Sequence, residues 1–168
     1  PIQLFACPPE NDNCDGAIEA AVNADLTCDI VTSGTITSAS PSGNESECIS
    51  DMDDDVWFSF SATSNAQLIS ITDIVGSTTN LGHALYVGSG NVLCSTLEEL
   101  YCVNNSSSIA EDLTVGTTYH IRIFSVGNDP QNVDFNLCIS NLPENTTCDN
   151  ATNFCGEGGA LYLSLIHI

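Results

Sequence analysis

Val56, Phe58 and Phe60 alternate with Trp57, Ser59 and Ser61 in the clearest two-residue period of the chain. That pattern predicts a strand with one buried face. Shorter runs of the same kind fall at 30–36, 67–72, 84–87, 118–126 and 133–139. They are separated by turn-forming clusters such as Pro41-Ser42-Gly43-Asn44 and Gly127-Asn128-Asp129-Pro130. One short stretch, 15–22, reads as a helix. Strands about every ten residues with no sustained helical period predict an all-β chain, a two-sheet antiparallel β-sandwich of jelly-roll type.

A repeat lies across this pattern. Pro9-Glu10-Asn11-Asp12-Asn13-Cys14-Asp15-Gly16-Ala17 matches Pro143-Glu144-Asn145-Thr146-Thr147-Cys148-Asp149-Asn150-Ala151 at six of nine positions, at an offset of 134. Each copy follows a short, mostly apolar run ending in Cys, Leu4-Phe5-Ala6-Cys7 and Phe135-Asn136-Leu137-Cys138. The copies read as joints between domains. Residues 1–7 are then the last strand of a preceding repeat, 8–142 a complete domain, and 143–162 the start of a following repeat. The apolar, acid-free end 163–168 is out of character with the rest and reads as a non-native read-through tail, so His167 enters no functional argument.

Cysteine usage agrees with these boundaries. The chain has nine cysteines and no CxxC pair, which points to disulfides in an oxidising, extracellular or cell-surface setting rather than to zinc. Residues 8–142 hold an even set: Cys14, Cys28, Cys48, Cys94, Cys102 and Cys138. Sequence proximity pairs Cys94 with Cys102 and Cys14 with Cys28, leaving Cys48 and Cys138 for a third bridge.

Charge excludes some partners. One basic residue, Arg122, stands against 22 acidic ones, a net charge of −21 that repels phosphate backbones, so nucleic acid is not a partner. No apolar run reaches the roughly 18 residues of a membrane span.

The candidate chemistry is sparse. Within 8–142 the only imidazoles are His83 and His120, neither beside a recognisable nucleophile motif, and His120 shares a strand face with Arg122 that reads as solvent-facing. No GxSxG, HExxH or P-loop occurs, so the chain does not read as an enzyme. Asp51, Asp53 and Asp55 have the alternate spacing that can converge on one Ca²⁺ ion, with Asp73 or Asp112 able to add a ligand. The EF-hand pattern fails, because Val56 replaces its glycine and Ala62 its bidentate glutamate. The competing reading is a polar turn whose Asp side chains cap backbone amides. Trp57 and Tyr86, and beyond them Tyr101 and Tyr119, are candidates for stacking on a sugar, against a packing role for Trp57 in an alternating strand.

Six motifs in order carry a family resemblance. They are Asn11-Asp12-Asn13-Cys14-Asp15-Gly16-Ala17-Ile18, Asp55-Val56-Trp57-Phe58-Ser59-Phe60-Ser61-Ala62-Thr63, Leu85-Tyr86-Val87-Gly88-Ser89-Gly90, Leu100-Tyr101-Cys102, Leu113 through Ile123, and Phe135-Asn136-Leu137-Cys138. This succession resembles the bacterial pre-peptidase C-terminal domain. It is similar to the tandem copies in large secreted proteins of Bacteroidetes, which often end in a sorting domain for the type IX secretion system. The resemblance implies a non-catalytic jelly-roll module acting as spacer, adhesion or substrate-targeting domain. Its partners would be neighbouring repeats of the same chain and an extracellular polysaccharide or protein. Some relatives bind Ca²⁺, but Val103-Asn104-Asn105 stands here in place of an acidic run. The alternative is a carbohydrate-binding module appended to a secreted hydrolase or peptidase.

Overall fold

Apolar residues at every second position give each long strand one face that must leave water, and two such sheets closing on each other satisfy both. The computed structural model describes residues 7–42, 52–88, 96–127 and 129–143, together with the backbone of a small ladder between β11 (Cys155–Gly156) and β12 (Gly159–Ala160). Asp51, Cys48, Cys94, most of the second joint and the tail 163–168 lie outside the described residues. The main strands are β3 (Thr32–Thr35), β4 (Met52–Ser61), β5 (Gln67–Gly76), β6 (Leu81–Val87), β7 (Glu98–Val103), β8 (Ser107–Ala110), β9 (Thr118–Val126) and β10 (Val133–Asn141).

Sheet A runs β4-β9-β6-β7 and sheet B runs β3-β10-β5-β8, with every neighbouring pair antiparallel. Successive strands from β3 to β6 alternate between the sheets. This is the jelly-roll order, two interlocked Greek keys that bury both inner faces. Two further short strands add in parallel at the same side: β1 (Ile18–Glu19) beside β4, and β2 (Val22–Asn23) beside β10.

The stretch 15–22 is therefore not a helix. A single 3-10 turn, Cys14–Gly16, precedes β1 and β2. So short a helix is marginal in water, and this segment instead completes the open edges of β4 and β10. The strands β7 and β8 escape prediction because Glu98-Glu99 and Ser107-Ser108 break the apolar alternation.

The inter-sheet core gathers Phe58, Phe60, Ile69, Leu85, Ile121, Leu137 and their neighbours. A second apolar cluster, Cys14, Trp57, Ala84, Tyr86 and Phe124, lies on the outer face of sheet A. The strand β4 is thus covered on both faces at Trp57; its start, Met52 and Asp53, and Ser59 are half-buried, and Ser61 at its end is exposed.

Cys28 bonds to Cys138, across a sequence separation of 110. Neither Cys14–Cys28 nor Cys48–Cys138 forms. The reason is local: buried Asn23 donates from Nδ2 to the carbonyls of Ile30 and Ile139 and accepts from the Ile30 amide through Oδ1, folding the following loop onto β10. That places Cys28 over the outer side of Cys138. Cys14 and Cys102 are each disulfide-bonded, and Cys7 is a free, exposed thiol.

Candidate functional site

The joint motif builds a wall. Asn11 continues the edge of β4, accepting from the Trp57 amide at 2.8 Å and donating from Nδ2 to the Trp57 carbonyl at 2.9 Å. Asp12 accepts from the Ser40 amide at 2.6 Å and from the Ser40 hydroxyl at 2.7 Å. Both side chains are buried, so the arm carrying Pro9 and Glu10 is held on two sides.

Beside this arm an open groove of about 660 Å³ runs past Ile18 and β3 and across β10 to β5. Gly34 lies in it by necessity, for a Cβ there would come within 2.6 Å of the Phe135 ring and 2.7 Å of the Phe58 ring. These two rings meet edge to face at 6.0 Å under β3.

A β-bulge shapes the far wall. In the β5–β10 ladder Thr72 pairs with Asn136 and Val75 with Asp134, so Asp73 and Ile74 together oppose Phe135. Ile74 packs on the core, while Asp73, at φ 49°, is exposed. Asn136 links three strands: its Nδ2 donates to Asp73 at 3.0 Å, and its Oδ1 accepts from the Ser33 hydroxyl at 2.9 Å. The groove therefore presents the carboxylates of Glu10, Asp73 and Asp134 and one fixed amide around an apolar floor.

The acidic run 53–55 does something else. Asp54 is the extra residue of a bulge in the β4–β9 ladder, with φ 45°, and its carboxylate accepts the Gln131 backbone amide. Burial pushes its pKa up, against that hydrogen bond. Asp53 accepts the Asp54 amide at 3.1 Å. Asp55 pairs with Arg122 at 2.6 Å, both side chains essentially out of water, and also accepts from the Ser42 amide and hydroxyl. Arg122 is therefore not solvent-facing: loops over sheet A cover the face it shares with His120. Among the described residues no three His, Cys, Asp or Glu side chains group as a metal site.

Trp57 and Tyr86 are not stacking platforms either. They are 1% and 5% exposed, with ring centroids 5.2 Å apart and the Arg122 guanidinium 5.8 Å from the Trp57 ring. The indole donates to Ser42 Oγ at 2.9 Å and Tyr86 donates to Glu99 at 2.9 Å. Burial, reinforced by Glu99, pushes the Tyr86 pKa up to about 12.

A family comparison matches residues 10–137, well over half of the chain, to a family described as galactose binding domain-like and associated with type IX secretion. The chain belongs to this galactose binding domain-like family. It is similar to the pre-peptidase C-terminal domain of a collagenase from Bacillus anthracis, at 12% identity and a TM-score of 0.39 over 73% of this chain and 93% of that one. It is likewise similar to PliG of Aeromonas hydrophila, a periplasmic inhibitor of g-type lysozyme, at 10% identity and a TM-score of 0.40 over 74% of this chain and 97% of that one. No curated protein sequence matches it.

In this galactose binding domain-like chain the described histidines stay out of the groove. His83 sits inside β6, wholly buried, with Nδ1 3.0 Å from the Asn105 carbonyl and Nε2 2.6 Å from Ser108 Oγ. A carbonyl only accepts, so Nδ1 carries the proton, Nε2 accepts from Ser108, and Ser108 accepts from the Tyr101 hydroxyl 2.8 Å away. Desolvation lowers the His83 pKa to about 4. His120 is half-buried on the outer face of sheet A, and burial lowers its pKa as well. Composition could not reveal the groove. The one signal was the apolar phase in β5, where Ile69 and Ile71 are followed by Ile74 rather than by an apolar residue at 73.

Proposed function

We propose that the chain is a non-catalytic extracellular module of a secreted bacterial protein, and that it works in adhesion or substrate targeting by holding a ligand in the groove beside β3. One observation carries this reading: the groove combines three carboxylates and a fixed amide with an apolar floor, and neither described imidazole of 8–142 reaches it. Such a surface can bind, but it offers no base beside a nucleophile. The Ser108–His83 pair is a link in a partly buried polar chain joining the two sheets, held on both imidazole nitrogens. The family's association with type IX secretion supports export.

The test uses the full chain on arrays of extracellular polysaccharides and peptides, with turnover assayed in parallel. Retention that falls in Asp73→Asn/Asp134→Asn, with no product released, is the expected result. Turnover that survives purification and is lost on a single-residue change would overturn it. The second reading, a carbohydrate-binding module of a secreted hydrolase or peptidase, draws on the family description and on Asp73 and Asn136, whose adjacent acceptor and amide suit neighbouring sugar hydroxyls. Selective retention on galactose-containing glycans would favour it.

A further inference from the structure

The groove is bounded by a sheet edge that has no backbone partner among the described residues. The strand β3 pairs with β10 alone. Ile36 donates its amide to the Val133 carbonyl at 3.0 Å, which fixes the phase of the ladder. In an antiparallel pair, hydrogen-bonded residues alternate with outward-facing ones. Gly34 and Thr32 therefore turn their amides and carbonyls to β10, while Ser33 and Thr35 turn theirs toward the groove. Open edges of this kind accept an added strand.

The charge of the walls selects the strand. Glu10 stands on the arm, Asp134 on β10 and Asp73 on the β5 bulge. The chain contains a single basic residue, Arg122, which is already buried against Asp55 on the other sheet. No described segment of this chain can neutralise the groove, so its charge complements a basic partner. Ile18, Val75 and the Phe135 ring supply apolar contacts between the acidic positions.

Resting on the ligand-holding reading of the groove, we propose that its occupant is an extended, basic peptide segment of another protein, added as a strand along β3. Its alternate side chains divide between two environments. Lys or Arg at every second position faces the carboxylates on the outer side of sheet B, and small apolar residues between them face the floor. Main-chain hydrogen bonds to Ser33 and Thr35 give affinity, and the carboxylates give selectivity and speed of encounter.

The probe is a synthetic capped octapeptide of alternating Lys and Val, titrated calorimetrically into the full chain at 150 mM and 500 mM salt. Three comparisons decide. The same peptide N-methylated at alternate amides keeps its charge but cannot join an edge, and should bind at least tenfold more weakly. Glu10→Gln/Asp134→Asn should weaken the parent peptide at least tenfold, whereas Glu98→Gln/Glu111→Gln, which removes the same charge elsewhere, should leave it within twofold. Equal binding of the N-methylated peptide, or equal loss in both double variants, would show only diffuse attraction to a polyanion and overturn the proposal. Glycan retention without peptide binding would overturn it and leave the targeting reading standing. If neither ligand class is retained, both fall.

Discussion

Arg122 Nη2 lies 2.6 Å from Asp55 Oδ2, so the only positive side chain of a chain with 22 acidic residues is spent inside the molecule. Removing one partner of a buried pair leaves an uncompensated charge, at a cost of about 3–5 kcal/mol. Arg122→Met should therefore lower stability in urea by about that amount, and adding Asp55→Asn should recover much of it. The guanidinium also lies over the Trp57 ring, so Arg122→Lys should rescue incompletely. A cost below about 1 kcal/mol for Arg122→Met would show that the pair does not organise this face.

His83 predicts a pH dependence whose sign follows from its burial. Its folded pKa is about 4 against an ordinary 6.5. Between those values the unfolded chain binds more protons than the folded one, so stability is full above about pH 6.5 and falls as pH drops toward 4. A gap of that size corresponds to about 3 kcal/mol. Protonation would also make Nε2 a donor, reversing the Tyr101–Ser108–His83 chain. His83→Gln should flatten the curve through this window, and unfolding free energies measured at half-unit pH steps check it. Parallel curves for wild type and variant would refute the assignment.

The architecture was legible where alternation was clean. The strands β4, β9 and β10 followed from their own residues, and the jelly-roll class followed from strand spacing. What stayed hidden depended on the third dimension. Trp57 reads as the polar-facing phase of its strand, yet loops from distant sequence cover it. Asp53 and Asp55 read with Asp51 as carboxylates converging on one ion, yet a bulge at Asp54 sends Asp53 to the Asp54 amide and Asp55 to Arg122. The groove draws its residues from five separated segments, and no local pattern announces such a meeting.

The Cys28–Cys138 bridge shows the same limit, since proximity in sequence favoured Cys14–Cys28. Closing a loop of 110 residues is worth roughly 4–5 kcal/mol in the chain-entropy account. Non-reducing peptide mapping should recover Cys28 and Cys138 in one linked fragment. Cys28→Ala/Cys138→Ala should lower the urea midpoint with an altered slope, because the unfolded chain also expands. A fragment linking Cys14 to Cys28 would contradict the fold of the β2–β3 loop.

The last prediction separates a calcium site from an acidic surface. Asp55 is neutralised by Arg122, and Asp54 is engaged with the Gln131 amide, so within 53–55 only Asp53 keeps most of its carboxylate available. Asp51 lies outside the described residues, and one described carboxylate falls short of the six to eight oxygens that a Ca²⁺ ion takes. A net charge of −21 is nonetheless eased by any cation, because screening shortens the range of repulsion to about 8 Å at physiological salt. Thermal stability should therefore rise with ionic strength. Ca²⁺ and Mg²⁺ at matched ionic strength should raise Tm equally in the wild type and in Asp53→Asn. A larger rise with Ca²⁺ that Asp53→Asn removes would mean that Asp53 completes a specific site, because a ligand held only by the folded state stabilises by RT ln(1 + [L]/Kd), about 2.7 kcal/mol at a hundredfold excess over Kd.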